Sequence, residues 1–389
     1  MAKFKNEPVP AQVLKIVYGK LEDEIGKLAA VMPVNSWADV QTIVRAGMAA
    51  KFFAVGDQLT CQKDGTNLVW DVIGFDHDTP ADPRFTHSMT LQLHDCFQTN
   101  LQYDAPEAFY YAENGLAAGT YHFAIDSSYD ASHQSFNNYQ FTLTQDVPAG
   151  GQLGLAWSYN AASSTILVKS YASPSAVAQT ESVSVTEGTD GTDLGVLTVS
   201  GDLENNLNSI QRARFGSNTY KESSVRQWLN SDDTADSVWT PQNDYGRPPT
   251  WAANTAGFMN GMDADFLAVI GNTKISVAKN TVIDGGGYDS LDDKFFLLSR
   301  SEVYGGLENS IDEGEPYPFY SQYSDLSAAG TTADSNRIKL KSGTVQTWWL
   351  RTPDSTKEHW FRCVKGANGA IDINSALNAG GIAPACNII

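Results

Sequence analysis

The run Gln346-Thr347-Trp348-Trp349-Leu350-Arg351-Thr352-Pro353 decides how we interpret the chain, and a further tryptophan follows at Trp360. Tryptophans bury large apolar areas, and they also serve as anchors at binding sites. Side chains of neighbouring strand residues point to opposite faces. The pattern therefore predicts that one of Trp348 and Trp349 is in the core and the other lies under a loop. We interpret the run as a scaffold strand, with Arg351 paired inside the fold by a carboxylate or by backbone carbonyls.

Two polar segments follow this strand, at Asp354–Trp360 and Gly366–Gly380. They are dotted with glycine and flanked by strand-forming residues, which is typical of loops that a rigid sheet carries on its surface. Binding residues are concentrated in such loops. We therefore take these polar segments, rather than the tryptophan pair, as the candidate binding surface.

The composition indicates a folded, acidic protein. The 389 residues are 42% hydrophobic and 18% charged, which is long enough for two or three domains with their own cores. A net charge of −19 argues against nucleic acid or an anionic membrane as a partner, since either needs a basic face. No apolar run approaches the roughly 20 residues of a membrane span. The first ten residues lack the apolar core of a secretory signal, so we expect synthesis and folding in a cytoplasm.

Helical periodicity marks the N-terminal part of the chain. Pro10–Val31 carries an apolar stripe in which Leu14, Leu21 and Leu28 are spaced seven residues apart. This pattern fits a helix packing on its own domain or a short oligomerising or docking helix. A second helix is predicted from Trp37 to about Ala50, with Ser36 as its N-cap and Asp39 three residues later.

Strand patterns dominate the next part. Asp57–Gln62 and Asn67–Phe75 predict a hairpin around a turn at residues 63–65. Ser88–His94 alternates in a way that predicts a half-buried strand. From Gly115 to about Ser200, short strands with few charges and no helix signal predict a small all-β domain of sandwich type.

Helix signals return after residue 202. Short helices are predicted at Ser223–Asn230, Asp263–Gly271 and Ser301–Gly305. The apolar run Lys294–Ser299 predicts a buried strand, and Gly306–Lys341 is predicted to be loop.

Catalytic patterns are scarce. The sequence has no HExxH, no GxSxG, no P-loop and no GxGxxG, and its six histidines never fall at metal-ligand spacing on one element. His94 and Cys96 flank Asp95, but a dyad without a placed third group is usually chance. Acidic clusters occur at Asp232-Asp233, at Asp263 and Asp265, and at Asp289, Asp292 and Asp293.

Solvated loops explain these acidic clusters better than a glycosidase does, because a glycosidase needs two acids facing each other about 5–10 Å apart. Asp284–Asp293 supplies oxygen ligands of the kind Ca²⁺ prefers, yet it follows no recognised loop pattern. We expect no enzyme activity, no catalytic residue, no metal site and no cofactor. A cytoplasmic origin favours free thiols at the four cysteines Cys61, Cys96, Cys363 and Cys386, although the last two could meet across neighbouring strands.

Four motifs in order carry a family resemblance. They are Ser224-Val225-Arg226-Gln227-Trp228-Leu229-Asn230, Phe295-Phe296-Leu297-Leu298-Ser299, Trp348-Trp349-Leu350-Arg351-Thr352-Pro353 and Gly381-Ile382-Ala383-Pro384-Ala385. They resemble an uncharacterised domain family of bacteria and their phages, with S-x-I-R-x-W-L-N, V-F-L-L-S, W-W-L-R-S-P and a terminal G-V-R-P-A. The strand at Trp70–Ile73 is similar to that family's opening strand, so the resemblance covers about Phe53–Ile389. Thr352 and Ala383 depart from the pattern.

The resemblance implies an α+β fold of C-type-lectin-like type, shared with formylglycine-generating-enzyme-like domains and with the variable proteins of diversity-generating retroelements. The implied divisions are an N-terminal helical assembly or anchoring segment at 1–51, the first part of the lectin-like domain at 52–115, an inserted all-β domain at 116–200 and the main lectin-like part at 201–389. Calcium-lectin E-P-N and W-N-D motifs are missing, so calcium-dependent sugar binding is not implied. The paired reactive cysteines of the formylglycine enzymes cannot be placed either.

In the variable phage proteins, the C-terminal segment is the diversified ligand-binding surface. The resemblance therefore implies a receptor-contacting face, whose candidate residues are Asp354, Ser355, Thr356, Lys357, Glu358, His359, Trp360, Arg362, Lys365, Asn368, Asp372, Asn374, Ser375 and Asn378.

On this basis we expect a phage virion protein of tail or head-fibre type, made in the host cytoplasm, that acts as a receptor-binding adhesin. Its expected partners are copies of itself, with a trimer favoured, other virion proteins, and a host-surface protein or glycan. Nucleic-acid binding and membrane insertion are not expected. The alternatives are a virion decoration protein without a ligand and an enzyme acting on surface glycans.

Overall fold

The fold mixes helix and strand and is strand-rich, with 37% strand and 15% helix. The computed structural model describes Lys20 and residues 34–126, 135–157, 163–171, 177–201, 206–305, 311–323 and 335–389. Apart from Lys20, the predicted helix at Pro10–Val31 lies outside the described residues. None of the described helices is long and apolar enough to cross a membrane.

The described helices are short, and capping side chains set several of their ends. In chain order they are α1 (Trp37–Arg45), α2 (Ala49–Phe52), α3 (Ile210–Phe215), α4 (Ser224–Leu229), α5 (Ala264–Val269), α6 (Arg300–Tyr304) and α7 (Pro318–Tyr323), with 3₁₀ turns at Tyr220–Glu222 and Ser335–Arg337. The Ser36 hydroxyl accepts a hydrogen bond from the Asp39 amide at 3.2 Å, which confirms the predicted cap of α1. Ser299 and Glu302 form a reciprocal capping box at α6.

Strands make up several sheets. In chain order they are β1 (Gln58–Lys63), β2 (Thr66–Phe75), β3 (Thr79–Pro80), β4 (Met89–Leu93), β5 (Leu101–Gln102), β6 (Ala108–Ala112), β7 (Gly119–Ile125), β8 (Asn138–Leu143), β9 (Gly151–Ala156), β10 (Thr165–Tyr171), β11 (Val177–Ser184), β12 (Thr186–Glu187), β13 (Thr192–Leu197), β14 (Ile270–Gly271), β15 (Thr273–Ala278), β16 (Tyr288–Asp293), β17 (Phe295–Phe296), β18 (Lys339–Lys341), β19 (Thr344–Gln346), β20 (Trp348–Pro353), β21 (Trp360–Val364), β22 (Ile371–Ser375), β23 (Ala379–Gly380) and β24 (Ala385–Ile388).

A six-stranded antiparallel sheet lies against the main core. Its order is β1-β2-β4-β24-β14, and β17 also pairs with β24. The predicted hairpin is confirmed, and its turn residues Asp64 and Gly65 have φ of 51° and 75°, as a type I′ turn requires. The helix predicted to reach Gly271 is wrong in its last turn, because Ile270 pairs with Ile388 as a strand.

The prediction that β4 is half-buried is wrong, since all five of its residues are buried. Helix α7 lies in the segment predicted to be loop, and its Tyr320 hydroxyl donates to the Gln92 side chain at 2.5 Å. On the same strand, the Thr90 hydroxyl is hydrogen-bonded to Asp78 and Asn387, both at 2.8 Å. Polar partners on the second face therefore let both faces of β4 be buried.

A second core belongs to two four-stranded sheets. Their orders are β11-β10-β9-β6 and β12-β8-β7-β13, and β13 runs parallel to β7. Buried residues such as Phe123 and Ile166 fill the space between them. This core also takes in Phe109 from β6 and Ala213 from α3, so it draws on residues on both sides of 116–200.

The C-terminal motif forms β20, in a three-stranded sheet of order β20-β21-β22. Trp348 and Trp349 are both buried, with 0% and 1% exposure, so the motif is scaffold on both faces. Arg351 donates to both Glu302 carboxylate oxygens at 2.7 and 2.6 Å, and to the carbonyls of Ser276, Leu297 and Glu313. The prediction that Arg351 is paired inside the fold is confirmed.

Candidate functional site

Strand register defines an outward side on the C-terminal sheet. Trp360 lies opposite Ser375, and Arg362 lies opposite Ile373. Side chains alternate along β21, so these residues lie on the side away from the buried Phe361. We call the surface made by this side of β21 and β22 together with the loop at residues 354–359 the C-terminal face.

The fourteen candidate residues differ in exposure. Thr356, Lys357, Lys365, Asn368 and Asn378 are exposed, Trp360, Arg362, Asp372, Asn374 and Ser375 are half-buried, and Asp354, Ser355, Glu358 and His359 are buried. Only the first two groups are accessible from solvent, whereas the other four are buried within the loop.

The structure divides these residues between two ends of the β21–β22 hairpin. The loop 354–359 and Trp360 lie at the end where Ser375 pairs. Lys365 lies at the other end, five residues after Trp360, or about 16 Å away. There it forms an ion pair with Asp372 at 3.0 Å.

Asn218 fixes the loop from below. Its side-chain amide donates to the carbonyls of Asp354 at 3.2 Å, Lys357 at 2.6 Å and Trp360 at 3.0 Å. It accepts in turn from the Asn280 amide at 2.8 Å. Asn218 is fully buried, so one side chain sets the path of the loop backbone. Sequence reasoning missed it, because an isolated asparagine 136 residues before Asp354 carries no pattern.

Glu358 joins the loop to α3. The hydroxyl of Ser209, the N-cap of α3, donates to the Glu358 carboxyl at 2.9 Å. Arg212 donates to the Glu358 carbonyl at 3.4 Å and pairs with Asp284 at 2.6 Å. Burial raises the pKa of the Glu358 carboxyl.

Asp284 is the first residue of the segment considered for calcium. Its Oδ2 accepts hydrogen bonds from Arg212, Thr219 and Asn280 at 2.6–2.8 Å. Among the described residues, no three His, Cys, Asp or Glu side chains are grouped to hold a metal ion.

A series of ring contacts links the second core to the C-terminal face. The guanidinium of Arg214 lies 4.3 Å from the Trp157 ring centroid and 4.7 Å from that of Phe215. Phe215 stacks on His359 at 5.0 Å, and His359 contacts Trp360 at 5.4 Å. Trp157, Phe215 and Trp360 are half-buried, so this contact series reaches the surface. No sequence signal joins these positions.

The surroundings of His359 disfavour its charged form. Burial lowers the pKa of this imidazole to about 4, and the nearby cations Lys357 and Arg214 act in the same direction, against Asp354. Within the part of the chain that the structure describes, Nδ1 of His359 is buried without a hydrogen-bond partner. His359 is therefore a neutral ring that packs under the loop at pH 7.

The stability of the protein should fall as the pH drops from 7 to 5, in part because of His359. The unfolded imidazole takes up a proton near its ordinary pKa of 6.5, whereas the folded one resists protonation until about 4. At about 1.4 kcal/mol per pKa unit, this costs the folded state about 2 kcal/mol by pH 5.

His359→Phe keeps the stacked ring and removes the titration, so it should remove about 2 kcal/mol of this pH dependence. Guanidinium unfolding of both proteins at pH 7 and pH 5 measures the difference. Equal pH dependence in the two proteins would contradict the assignment.

One known protein family matches part of the chain. Residues 195–389 match a family described as a domain of unknown function (DUF6273), which is half of the chain. The chain belongs to the DUF6273 family. No curated protein matches the chain, and no solved structure matches it.

The four sequence motifs all lie inside the DUF6273 segment, and the structure shows how two of them join. The Asn230 side chain, at the end of α4, donates to the Phe295 carbonyl at 2.9 Å and accepts from the Lys294 and Phe295 amides. Arg226 in the same helix pairs with buried Asp293 at 2.7 Å. The sheet of the DUF6273 segment is completed from outside it, because β24 pairs with β4.

Several acidic residues considered for chemistry have structural partners. Asp293 pairs with Arg226, and Asp263 caps α5 by accepting from the Asp265 amide at 3.0 Å. His94 is hydrogen-bonded to Asp71 at 2.8 Å, and the Cys96 thiol considered with it is buried. The four cysteines are all buried and free, so the disulfide left open between Cys363 and Cys386 is not formed. Burial raises the pKa of Cys363 to about 12.

Proposed function

We propose that this protein is a non-enzymatic phage virion protein of tail or head-fibre type, a receptor-binding adhesin whose C-terminal face binds a host-surface protein or glycan. The observation that carries the proposal is the loop at 354–359. Its backbone is fixed by Asn218, while the exposed Thr356 and Lys357 stand beside the half-buried Trp360. A rigid scaffold that presents a polar loop with an aromatic anchor is a common design of binding sites.

The same proposal takes the DUF6273 segment as a C-type-lectin-like domain, related to formylglycine-generating-enzyme-like domains and to the variable proteins of diversity-generating retroelements. In this interpretation β20 is the scaffold strand, and the diversified positions are the fourteen candidate residues after it. The N-terminal segment assembles copies of the chain, with a trimer favoured, and attaches them to other virion proteins.

The charge of the C-terminal face limits the chemical class of ligand that suits it. Lys357 and Arg362 are cations of the C-terminal face in a chain whose net charge is −19, whereas Lys365 follows the opposite side of β21 and pairs with Asp372. Asp354 pairs with Arg362 at 3.5 Å and Glu358 lies buried, so the exposed Lys357 supplies the accessible charge of the loop. A ligand with acidic groups suits this surface best.

Trp360→Ala should weaken binding to host cells by about 30-fold, since truncating an aromatic anchor costs about 2 kcal/mol. The experiment measures binding of the fluorescently labelled full chain to a panel of bacterial strains. The matched control is Tyr288→Ala, which truncates an aromatic side chain that is 47% exposed on β16, outside the C-terminal face.

If Trp360→Ala weakens binding to host cells and Tyr288→Ala does not, the adhesin proposal is supported. If the two variants bind every strain as the unchanged protein does, the C-terminal face is not the receptor site. If Trp360→Ala instead blocks assembly of particles, the face contacts neighbouring subunits and the protein is a decoration protein.

A further inference from the structure

A cleft of about 330 Å³ lies beside α3, on the side where Arg212 projects. Its walls come from β6, from the turn at residues 243–245 and from residues 283–284. This volume lies at the lower end of the range for small-molecule sites. None of the residues predicted for ligand binding lines the cleft, so it is separate from the C-terminal face.

The floor of the cleft is polar and buried. Glu107, Asn208 and Arg212 are 3%, 2% and 6% exposed. The Asn208 amide donates to Oε2 of Glu107 at 2.5 Å, and the Asn243 side chain is a second hydrogen-bond partner of this carboxyl, which has about four acceptor positions. Burial raises the pKa of the Glu107 carboxyl, while Arg212 and the nearby amides act in the opposite direction.

Two of the three guanidinium nitrogens of Arg212 donate hydrogen bonds to neighbouring groups. Nε donates to the Glu358 carbonyl, and Nη2 donates to Asp284 and Thr219. Among the described residues, the hydrogen bonds of the Arg212 side chain come from Nε and Nη2, and its ion pair is with Asp284 at 2.6 Å. The floor of the cleft therefore offers a hydrogen-bond donor, the Arg212 guanidinium, and a hydrogen-bond acceptor, the Glu107 carboxyl. These two groups are not paired with each other.

The rim supplies aromatic rings and amides. The rings of Tyr111 and Tyr245 lie 6.5 Å apart at an angle of 67°. The side chains of Asn206, Asn243 and Asp244 complete the opening. Aromatic faces pack against the apolar C–H face of a ring-shaped ligand, while amides bond its hydroxyls.

We propose that this cleft binds a neutral sugar unit, with one hydroxyl donating to Glu107 and the adjacent hydroxyl accepting from Nη1 of Arg212. A vicinal pair of hydroxyls presents a donor and an acceptor on adjacent carbons, so one sugar ring can serve both groups of the floor. The charge of Arg212 is already matched by Asp284, and Asp244 adds a negative charge at the rim, so the cleft disfavours an anion. The proposal does not depend on the function assigned to the C-terminal face.

Saturation-transfer NMR on the full chain tests this site with glucose, galactose, mannose and N-acetylglucosamine, and with inorganic phosphate as the anionic probe. At least one sugar should bind with millimolar affinity, about −4 kcal/mol, and phosphate should not. Tyr111→Ala should weaken that sugar by about 10-fold, because it removes a half-exposed ring from the rim. Tyr288→Ala, which truncates an exposed aromatic side chain outside both the cleft and the C-terminal face, should leave sugar binding unchanged.

A second variant protects the test against misfolding. Asp244→Asn alters an exposed side chain at the rim and should change sugar affinity without affecting the fold. The proposal is overturned if no sugar shows saturation transfer, if phosphate binds instead, or if sugar affinity is the same in both rim variants as in the unchanged protein. It is also overturned if Tyr288→Ala weakens sugar binding as much as Tyr111→Ala does.

Discussion

Replacing Arg351 with methionine should lower the free energy of unfolding by about 3–5 kcal/mol, the largest effect expected of a single substitution in this chain. Arg351 is fully buried and donates five hydrogen bonds, two to Glu302 and three to backbone carbonyls. Methionine fills much of the space but leaves the buried Glu302 carboxylate without its cation. A lone buried charge costs several kcal/mol, whereas the intact pair contributes less than its attraction alone suggests.

Guanidinium unfolding followed by tryptophan fluorescence measures this effect, since Trp348 and Trp349 closely precede Arg351 in the sequence. The matched control is Arg84→Met, which breaks an exposed pair with Asp82 and should leave the unfolding midpoint unchanged. Adding Glu302→Gln to Arg351→Met should restore part of the loss. Glutamine keeps the oxygen that accepts from the Ser299 amide and removes the unpaired charge. An Arg351→Met protein as stable as the control would contradict the structural role of the pair.

Local signals explain which elements the sequence predicts well. Helix α1 and helix α4 begin at capping serines, Ser36 and Ser223, and the hairpin turns at Asp64-Gly65. Each of these features is decided within a few residues. The scaffold role of Arg351 was predictable for a similar reason, since an arginine inside an apolar strand requires a partner.

Long-range pairing explains what the sequence does not predict. Strand β24 pairs with β4 across almost 300 residues, and no pattern in either strand names the other. Glu358 and His359 are polar and were predicted on the surface, but the loop closes over α3 and buries both. Thr352 stands where the family pattern has serine. Its hydroxyl donates to Glu313 and accepts from the Arg300 amide, and a serine hydroxyl has the same donor and acceptor capacity.

The candidate site combines both kinds of information. The sequence predicts the polar segment after β20, and the structure adds the side chains that hold it, Asn218 and Asn280. Neither asparagine lies in a motif. Supporting side chains of this kind come from distant parts of the chain, so a single sequence cannot identify them.

Replacing Asn218 with aspartate should destabilise the protein by about 3 kcal/mol and abolish binding through the C-terminal face, although Asn218 itself is buried beneath it. The two side chains have the same shape. Aspartate, however, turns an oxygen toward three carbonyl oxygens that now accept from the Asn218 amide, those of Asp354, Lys357 and Trp360. Three hydrogen bonds become three repulsive contacts around a buried carboxyl, so the loop must move away.

Asn67→Asp is the matched control, because it makes the same substitution at an exposed position of β2, outside the C-terminal face. The Asn67 side chain accepts from the Gln62 side chain at 3.4 Å through its oxygen, which aspartate retains. Limited proteolysis should cut the loop 354–360 in Asn218→Asp and spare it in the control, and cell binding should be lost only in the former. If Asn218→Asp frees the loop but leaves cell binding at the level of the control, the fixed loop is not what binds the receptor. If the loop stays protected and stability is unchanged, Asn218 does not hold it, because three lost hydrogen bonds in a buried site cannot be silent.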